Sequence, residues 1–136
     1  EDARRVIEIW NKGFEEGWIL RFGIADKATN QIIGTIFLNN FEGRRAEIGY
    51  EMSEDYWNKG IMSEAIKEVI QLGFNQLGLT RVQAFVCEEN TASRHLLRKF
   101  GFQEEGLLRQ YECHSVSGKC KDMFIYSLLK GEFSVM

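Results

Sequence analysis

The sequence predicts one α/β domain of the α+β kind, a central mixed and mostly antiparallel sheet flanked by helices, on three observations. Apolar residues recur at helical spacing in two segments, β-branched and aromatic residues crowd six others, and turn-forming residues stand at the junctions. With 136 residues, 44% hydrophobic and 27% charged, the chain can bury one proper core and has no room for a second domain.

Taken in order, Ala3, Val6, Ile7, Trp10 and Phe14 recur at helical spacing among charged residues, which predicts an amphipathic helix over residues 2–16 ending near Gly17. The period then changes. Residues 19–26 and 31–41 are rich in β-formers with Ala28-Thr29-Asn30 between them, an antiparallel hairpin, and residues 46–53 continue as a third strand. Ile32, Ile33, Ile36, Phe37 and Leu38 occupy both faces of the second strand, which predicts a central strand covered on both sides. Residues 63–77 supply a flanking helix, with Ala65, Ile66, Val69, Ile70, Phe74 and Leu77 inward and Gly78 as its left-handed stop. Residues 80–88 form a strand, Asn90 caps a short helix running to Lys99, and residues 102–113 and 121–129 close the sheet around a turn near Ser117-Gly118. No repeat, linker or low-complexity tract interrupts this order, and there is no proline to mark a boundary.

A net charge of −3 supplies no basic field to concentrate nucleic acid, and it leaves room for a cationic substrate. Cys87, Cys113 and Cys120 form no C-x-x-C pair, and their odd number points to reduced thiols in a cytoplasmic setting and to no metal. Apolar runs such as residues 32–38 are far short of a membrane span, and no cleavable targeting segment opens the chain. Trp10, Trp18 and Trp57 read as packing or acceptor-channel residues rather than a stacking platform for bases. His95 and His114 are set aside, one in a helix and one beside a turn, and Cys87 reads as a small buried residue.

The segment Trp57-Asn58-Lys59-Gly60-Ile61-Met62-Ser63 joins a strand to a helix, so its amides are the unpaired donors of a helix N-terminus. Free N–H groups and the positive end of the helix dipole favour a phosphate there, Gly60 permits close backbone approach, and Lys59 adds positive charge. An ordinary turn is the competing reading. Neither G-x-x-x-x-G-K-[ST] nor G-x-G-x-x-G occurs.

Three stretches in order carry a more specific signal: Ala46-Glu47-Ile48-Gly49-Tyr50-Glu51-Met52, then Tyr56-Trp57-Asn58-Lys59-Gly60-Ile61-Met62-Ser63-Glu64-Ala65, then Asn90-x-x-Ser93 leading to Phe100-Gly101-Phe102-x-x-Glu105-Gly106. Together they resemble the RimJ/RimL-like, ribosomal-protein branch of the GNAT N-acetyltransferases. The resemblance runs from about residue 2 to the end and implies the GNAT acyl-CoA N-acyltransferase fold with acetyl-CoA as cosubstrate. It implies that Tyr50, Glu51 and Met52 border the pantetheine arm, that Trp57, Asn58, Lys59, Gly60, Ile61, Met62 and Ser63 hold the pyrophosphate, and that Asn90 and Ser93 line the arm from the next helix. Against the family pattern Q/R-x-x-G-x-G/A, Trp57 stands first, Met62 last and Asn58 where glycine is frequent, while Gly60 is kept. Family members carry a further strand and helix ahead of the first helix predicted here, so residues 1–136 are expected to be one N-terminally incomplete domain. Members often dimerise; no interface signal is visible in this chain.

Amine acetylation needs a neutral nitrogen, hence a base or a water relay, and the departing thiolate benefits from an acid. The tyrosine common in GNAT enzymes falls at Leu97 here, whereas Arg109-Gln110-Tyr111-Glu112 matches the segment that in RimL-like enzymes carries a proposed base. The resemblance therefore implies Glu112 as base and Ser93 as acid or relay, with Glu47, on the strand leading into the loop, as the competing base. Both glutamates also read as exposed strand carboxylates, Asn90 as a helix N-cap, Ser93 as a local partner for a backbone donor, and Lys59 as a solvated charge. The expected acceptor is a peptide N-terminal α-amine, whose reference pKa of about 8 makes it easier to deprotonate than a lysine at about 10.4. A small amine such as a polyamine, amino sugar or antibiotic is the alternative, and a non-catalytic acyl-CoA-binding module is a third reading. Neither nucleic acid nor membrane is expected as a partner.

Overall fold

A computed structural model describes residues 5–10, 19–57 and 59–133, the first of these segments by its backbone alone. The strands are β1 (Arg5–Trp10), β2 (Ile19–Asp26), β3 (Gln31–Glu42), β4 (Arg45–Met52), β5 (Arg81–Cys87), β6 (Gln103–Cys113) and β7 (Cys120–Leu129), and the helices are α1 (Ile61–Asn75) and α2 (Thr91–Lys99). The strands form one sheet in the order β1-β2-β3-β4-β5-β7-β6, antiparallel throughout except between β4 and β5. Helix α1 makes the crossover that a parallel pair requires.

The first element departs from expectation. Arg5–Trp10 is a strand, paired with β2 from Arg5 opposite Asp26 to Trp10 opposite Arg21, where the sequence pattern predicts a helix. Val6, Ile7, Ile9 and Trp10 are β-branched or aromatic, and such a run suits the edge of β2 as well as it suits a helical stripe. The remainder of the expected helix, with Gly17, lies outside the described residues. The other elements fall within two residues of their predicted bounds.

Both helices pack on one face of the sheet. Ile36 and Leu38 on β3, Ile48 on β4, Val82 on β5, and Tyr126 and Leu128 on β7 bury there against Ile66, Val69, Ile70 and Phe74 of α1 and Leu97 of α2. Strand β3 is central, but it is fully covered on that face only: Ile32 is half exposed and Phe37 half-buried. A bulge is the reason for the first. Pairing with β2 passes from Ile24–Gly34 to Ala25–Ile32, so Ile33 is the extra residue and turns inward while Ile32 turns out. Phe37 lies on the opposite face, over Gly49, where a Cβ would collide with its ring, and Arg21 sits 5.3 Å from the centroid of that ring. Gly49 is therefore glycine because an aromatic ring occupies the place of its side chain.

The cysteines also depart from expectation. Cys113 and Cys120 are opposite residues of the β6–β7 hairpin and form a disulfide, leaving Cys87 free and half-buried rather than buried. The spacing hides this pair, because the two thiols meet only through hairpin register. His114 organises the intervening turn, its Nδ1 accepting the Val116 and Ser117 amides at 3.2 and 3.1 Å. Among the described residues, no helix is long and apolar enough to cross a membrane.

Candidate active site

The site begins with a fault in the sheet. Strands β4 and β5 pair through Arg45–Arg81, Ala46–Val82 and Glu47–Gln83 and then part. Strand β4 runs on to Met52 paired only with β3, and β5 runs on to Cys87 paired only with β7, so two strand edges face one another inside the sheet. The Ser53 amide donates to the Ile33 carbonyl of β3 at 2.9 Å. The Met52 carbonyl, on the other side of the same planar peptide, therefore points into the gap, and by strand alternation the backbone of Tyr50 points the same way.

The connection from β4 to α1 closes one end of this gap. A 3₁₀ turn at Glu54–Tyr56 leads to Trp57, whose indole N–H donates to the Met52 carbonyl at 2.9 Å. Trp57 is 51% exposed and hydrogen-bonds to the backbone, so of the two roles expected of it, packing and lining an acceptor channel, the structure does not bear out packing; Trp10 is described by its backbone alone, and Trp18 lies outside the described residues. Gly60 is the N-cap of α1 at φ +75°, with no side chain capping the helix and nothing within 4 Å of where a Cβ would stand. Glycine is required here by conformation, not by space. Ile61 and Met62 are buried, so their side chains belong to the core and do not face a ligand. The Lys59 ammonium lies 5.6 Å from the ring centroid of Tyr56, and the Tyr56 hydroxyl donates to Asp26 Oδ2 at 3.1 Å. That bond is the main reason the Tyr56 phenol is held above its ordinary pKa. Ser63 is half-buried in the first turn of α1, and Asn58 lies outside the described residues.

The start of α2 closes the other side. Asn90 Oδ1 accepts the Ser93 amide at 3.1 Å, so Asn90 is the N-cap, and the Ser93 hydroxyl oxygen lies 2.7 Å from that of Tyr50. Burial pushes the Tyr50 phenol above its ordinary pKa, and the bond to Ser93 offsets part of that rise. Leu97, one turn beyond Ser93, is fully buried. Helix α2 is fixed by a cluster that sequence spacing does not reveal. Arg94 donates to the Tyr126 hydroxyl at 3.0 Å and the Glu88 carbonyl at 3.1 Å, lies 4.2 Å from the Phe124 ring centroid, and approaches Glu104, to which Tyr126 donates at 2.9 Å.

The two candidate bases lie apart. Glu47 belongs to the last rung before the strands separate, faces away from the helices, is half-buried, and accepts Asn40 Nδ2 at 3.0 Å. Glu51 shares that outer face and is exposed. Glu112 is exposed on β6, opposite Lys121 and two strands from the β5 edge of the gap. Its neighbour Tyr111 reaches back, stacking on Phe85 of β5 with ring centroids 5.1 Å apart.

Residues 1–103 match the acetyltransferase (GNAT) domain family. The chain belongs to that family. It is 43% identical over 134 residues to the uncharacterised N-acetyltransferase p20 of Bacillus licheniformis, covering 97% of this chain and 74% of that protein. It is 38% identical over 69 residues to spermidine N(1)-acetyltransferase of Escherichia coli strain K12, covering 51% of this chain and 37% of that enzyme. Two solved structures share the fold. Ribosomal-protein-S5-alanine acetyltransferase of Vibrio fischeri superposes with a TM-score of 0.80 at 26% identity, over 90% of this chain and 67% of that one. RimJ of Mycobacterium smegmatis, in complex with CoA-disulfide, superposes with a TM-score of 0.78 at 31% identity, over 87% and 56%.

As a GNAT acetyltransferase, the domain uses acetyl-CoA, and its residues fit that cosubstrate in two places. The gap presents strand edge that an extended amide chain can pair with, and the uncapped α1 N-terminus presents amides and a positive dipole end to an anion. Among the described residues, no cluster of histidine, cysteine, aspartate and glutamate could hold a metal ion.

Proposed function

We propose that this GNAT domain, residues 1–136, acetylates a peptide or protein N-terminal α-amine by direct attack of the amine on the thioester of acetyl-CoA. The observation that carries the reading is the parting of β4 and β5 after Glu47–Gln83, which sets an acidic residue at the vertex of a gap suited to the pantetheine arm. Tyr50 and Met52 would border the arm through their backbones, with Glu51 beside them on β4. The segment from Trp57 through Asn58, Lys59, Gly60, Ile61 and Met62 to Ser63 would hold the pyrophosphate, with Lys59 adding charge, and Asn90 and Ser93 would line the far side.

Strand alternation divides the labour. Glu47 and Tyr50 lie on opposite faces of β4. An amine entering from the outer face meets Glu47, which takes its proton; the sulfur leaves toward Ser93 on the helical face. The likeness to the ribosomal-protein enzyme supports a peptide amine, while the shorter match to the spermidine enzyme makes a polyamine the competing acceptor. Glu112 is the second candidate base, favoured by the Tyr111–Phe85 stack that ties its segment to the β5 side of the gap.

The test is thiol release from acetyl-CoA across N-terminal peptides, lysine peptides, spermidine and aminoglycosides. Release confined to N-terminal peptides is expected, and release with spermidine alone would transfer the proposal to small amines. Glu47→Gln and Glu112→Gln then separate the bases: the true base loses kcat by about 10²-fold or more while acetyl-CoA affinity holds.

A further inference from the structure

Ser93 is held at two points, its amide by Asn90 and its hydroxyl oxygen by the Tyr50 phenol 2.7 Å away. A serine hydroxyl has one hydrogen and two lone pairs. With Tyr50 donating, the Ser93 hydrogen is free to bond elsewhere. Tyr50 comes from the β4 edge of the gap and Asn90 follows the end of β5, so the pair bridges the strands where they have parted. Leu97, on the same face of α2 one turn on, is buried among core residues and offers no competing polar group.

We infer that Tyr50 is a positioning residue: its phenol donates to Ser93 Oγ and so fixes the Ser93 hydroxyl as a hydrogen-bond donor to the thioester sulfur of acetyl-CoA. The inference rests on the proposed placement of acetyl-CoA in the gap. In the reaction, the amine nitrogen forms a bond to the acetyl carbon, the carbon–sulfur bond breaks with its electron pair on sulfur, and the amine proton passes to the carboxylate base. Ser93 stabilises the thiolate as charge develops, and water protonates the thiolate to the thiol after release. Tyr50 gives up no proton. Burial keeps its phenol above the ordinary 10.0, well above a thiol at about 8.5, so it serves as a hydrogen-bond donor and not as an acid.

Tyr50→Phe keeps the ring and removes the hydroxyl. With the best acceptor, kcat is expected to fall about tenfold with the KM for acetyl-CoA changed less than about twofold. In a Ser93→Ala background the same substitution changes kcat by less than about twofold, because a positioning residue acts only through what it positions. A second readout needs no turnover: calorimetric binding of CoA against desulfo-CoA as a function of pH reports the pKa of the bound thiol. That pKa is expected below the ordinary value of about 8.5 in the parent and close to it in Tyr50→Phe. Ser93→Ala leaves Tyr50 in the core and is expected to shift the bound thiol equally, so the pair is tested even if Tyr50→Phe does not fold. Equal kcat losses in both backgrounds, or a bound-thiol pKa indifferent to either substitution, overturns the inference. A parent that binds CoA yet releases no thiol with any amine defeats the proposed acetyl transfer, while the calorimetric comparison still decides for or against Tyr50.

Discussion

The Trp57 indole donates to the Met52 carbonyl at 2.9 Å, so a side chain from the loop satisfies a backbone group that the neighbouring strand has abandoned. This bond ties the loop that leads into α1 back onto the end of β4. Trp57→Phe keeps the ring and loses the donor. The expected result is an acetyl-CoA Kd raised about fivefold, the equivalent of roughly 1 kcal/mol for one hydrogen bond, measured by calorimetry. An unchanged Kd would mean that other contacts hold the loop.

Gly60 offers a cleaner separation of conformation from charge. Its φ of +75° strains most side chains, yet the space around it is open. Gly60→Asn and Gly60→Asp carry similar backbone penalties, since both residues tolerate the left-handed region. Gly60→Asp is expected to weaken acetyl-CoA binding several-fold more than Gly60→Asn, with the difference shrinking in high salt. Equal affinities for the two variants would remove the pyrophosphate from this helix end.

The resemblance to GNAT enzymes implies that Leu97 takes the place of their common tyrosine, and Leu97 is fully buried. Leu97→Tyr is therefore expected to lower stability by about 1–3 kcal/mol through overpacking, with no gain in kcat. Chemical denaturation and steady-state rates measure both. A rise in kcat would show that the phenol can reach the thioester after all.

Acid should act through β6. Glu104, held below its ordinary pKa of 4.5 first by Tyr126 and then by Arg98 and Arg94, and Glu105, held below it by Arg81 and Ser127, both have folded pKa values lower than unfolded ones. Their stabilising contribution is complete above about pH 4.5 and is lost as pH falls through the depressed folded values. The thermal midpoint should hold from neutral pH to about 5 and drop below it, and Glu104→Gln with Glu105→Gln should flatten that drop. The same acid slope in the double variant would place its origin elsewhere.

Reduction tests the hairpin. Cys113 and Cys120 lie seven residues apart, and closing so short a loop contributes on the order of 2 kcal/mol in the chain-entropy view. Tris(2-carboxyethyl)phosphine is expected to lower the unfolding midpoint of the parent and leave that of Cys113→Ser/Cys120→Ser unmoved. No change in the parent would mean that β6 and β7 hold their register without the crosslink.

Most of the sheet was legible because β2 to β7 carry dense β-branched and aromatic runs between turn residues; α1 was legible by its apolar stripe and α2 by its asparagine cap. Residues 5–10 were not, since Val6, Ile7, Ile9 and Trp10 satisfy both periods and the pairing edge of β2 decides. Motif order pointed to Gly60, Asn90 and Ser93, but not to what touches them. The Tyr50–Ser93 contact spans 43 residues and the Arg94–Tyr126 contact 32, separations at which a single sequence carries no local signal. Likewise the parting of β4 and β5 depends on how far two distant strands run side by side, which neither strand encodes alone.

That parting has a consequence beyond catalysis. A sheet that leaves two of its own edges unmated in its interior is open to any extended segment, including a stretch of another polypeptide, that can lie down between them. A ligand seated there closes the wound. Saturation at a thousand times Kd adds about 4 kcal/mol to the native state by mass action. The domain should therefore resist aggregation and proteolysis best where its cosubstrate is plentiful, tying its lifetime to the acetyl supply it draws on.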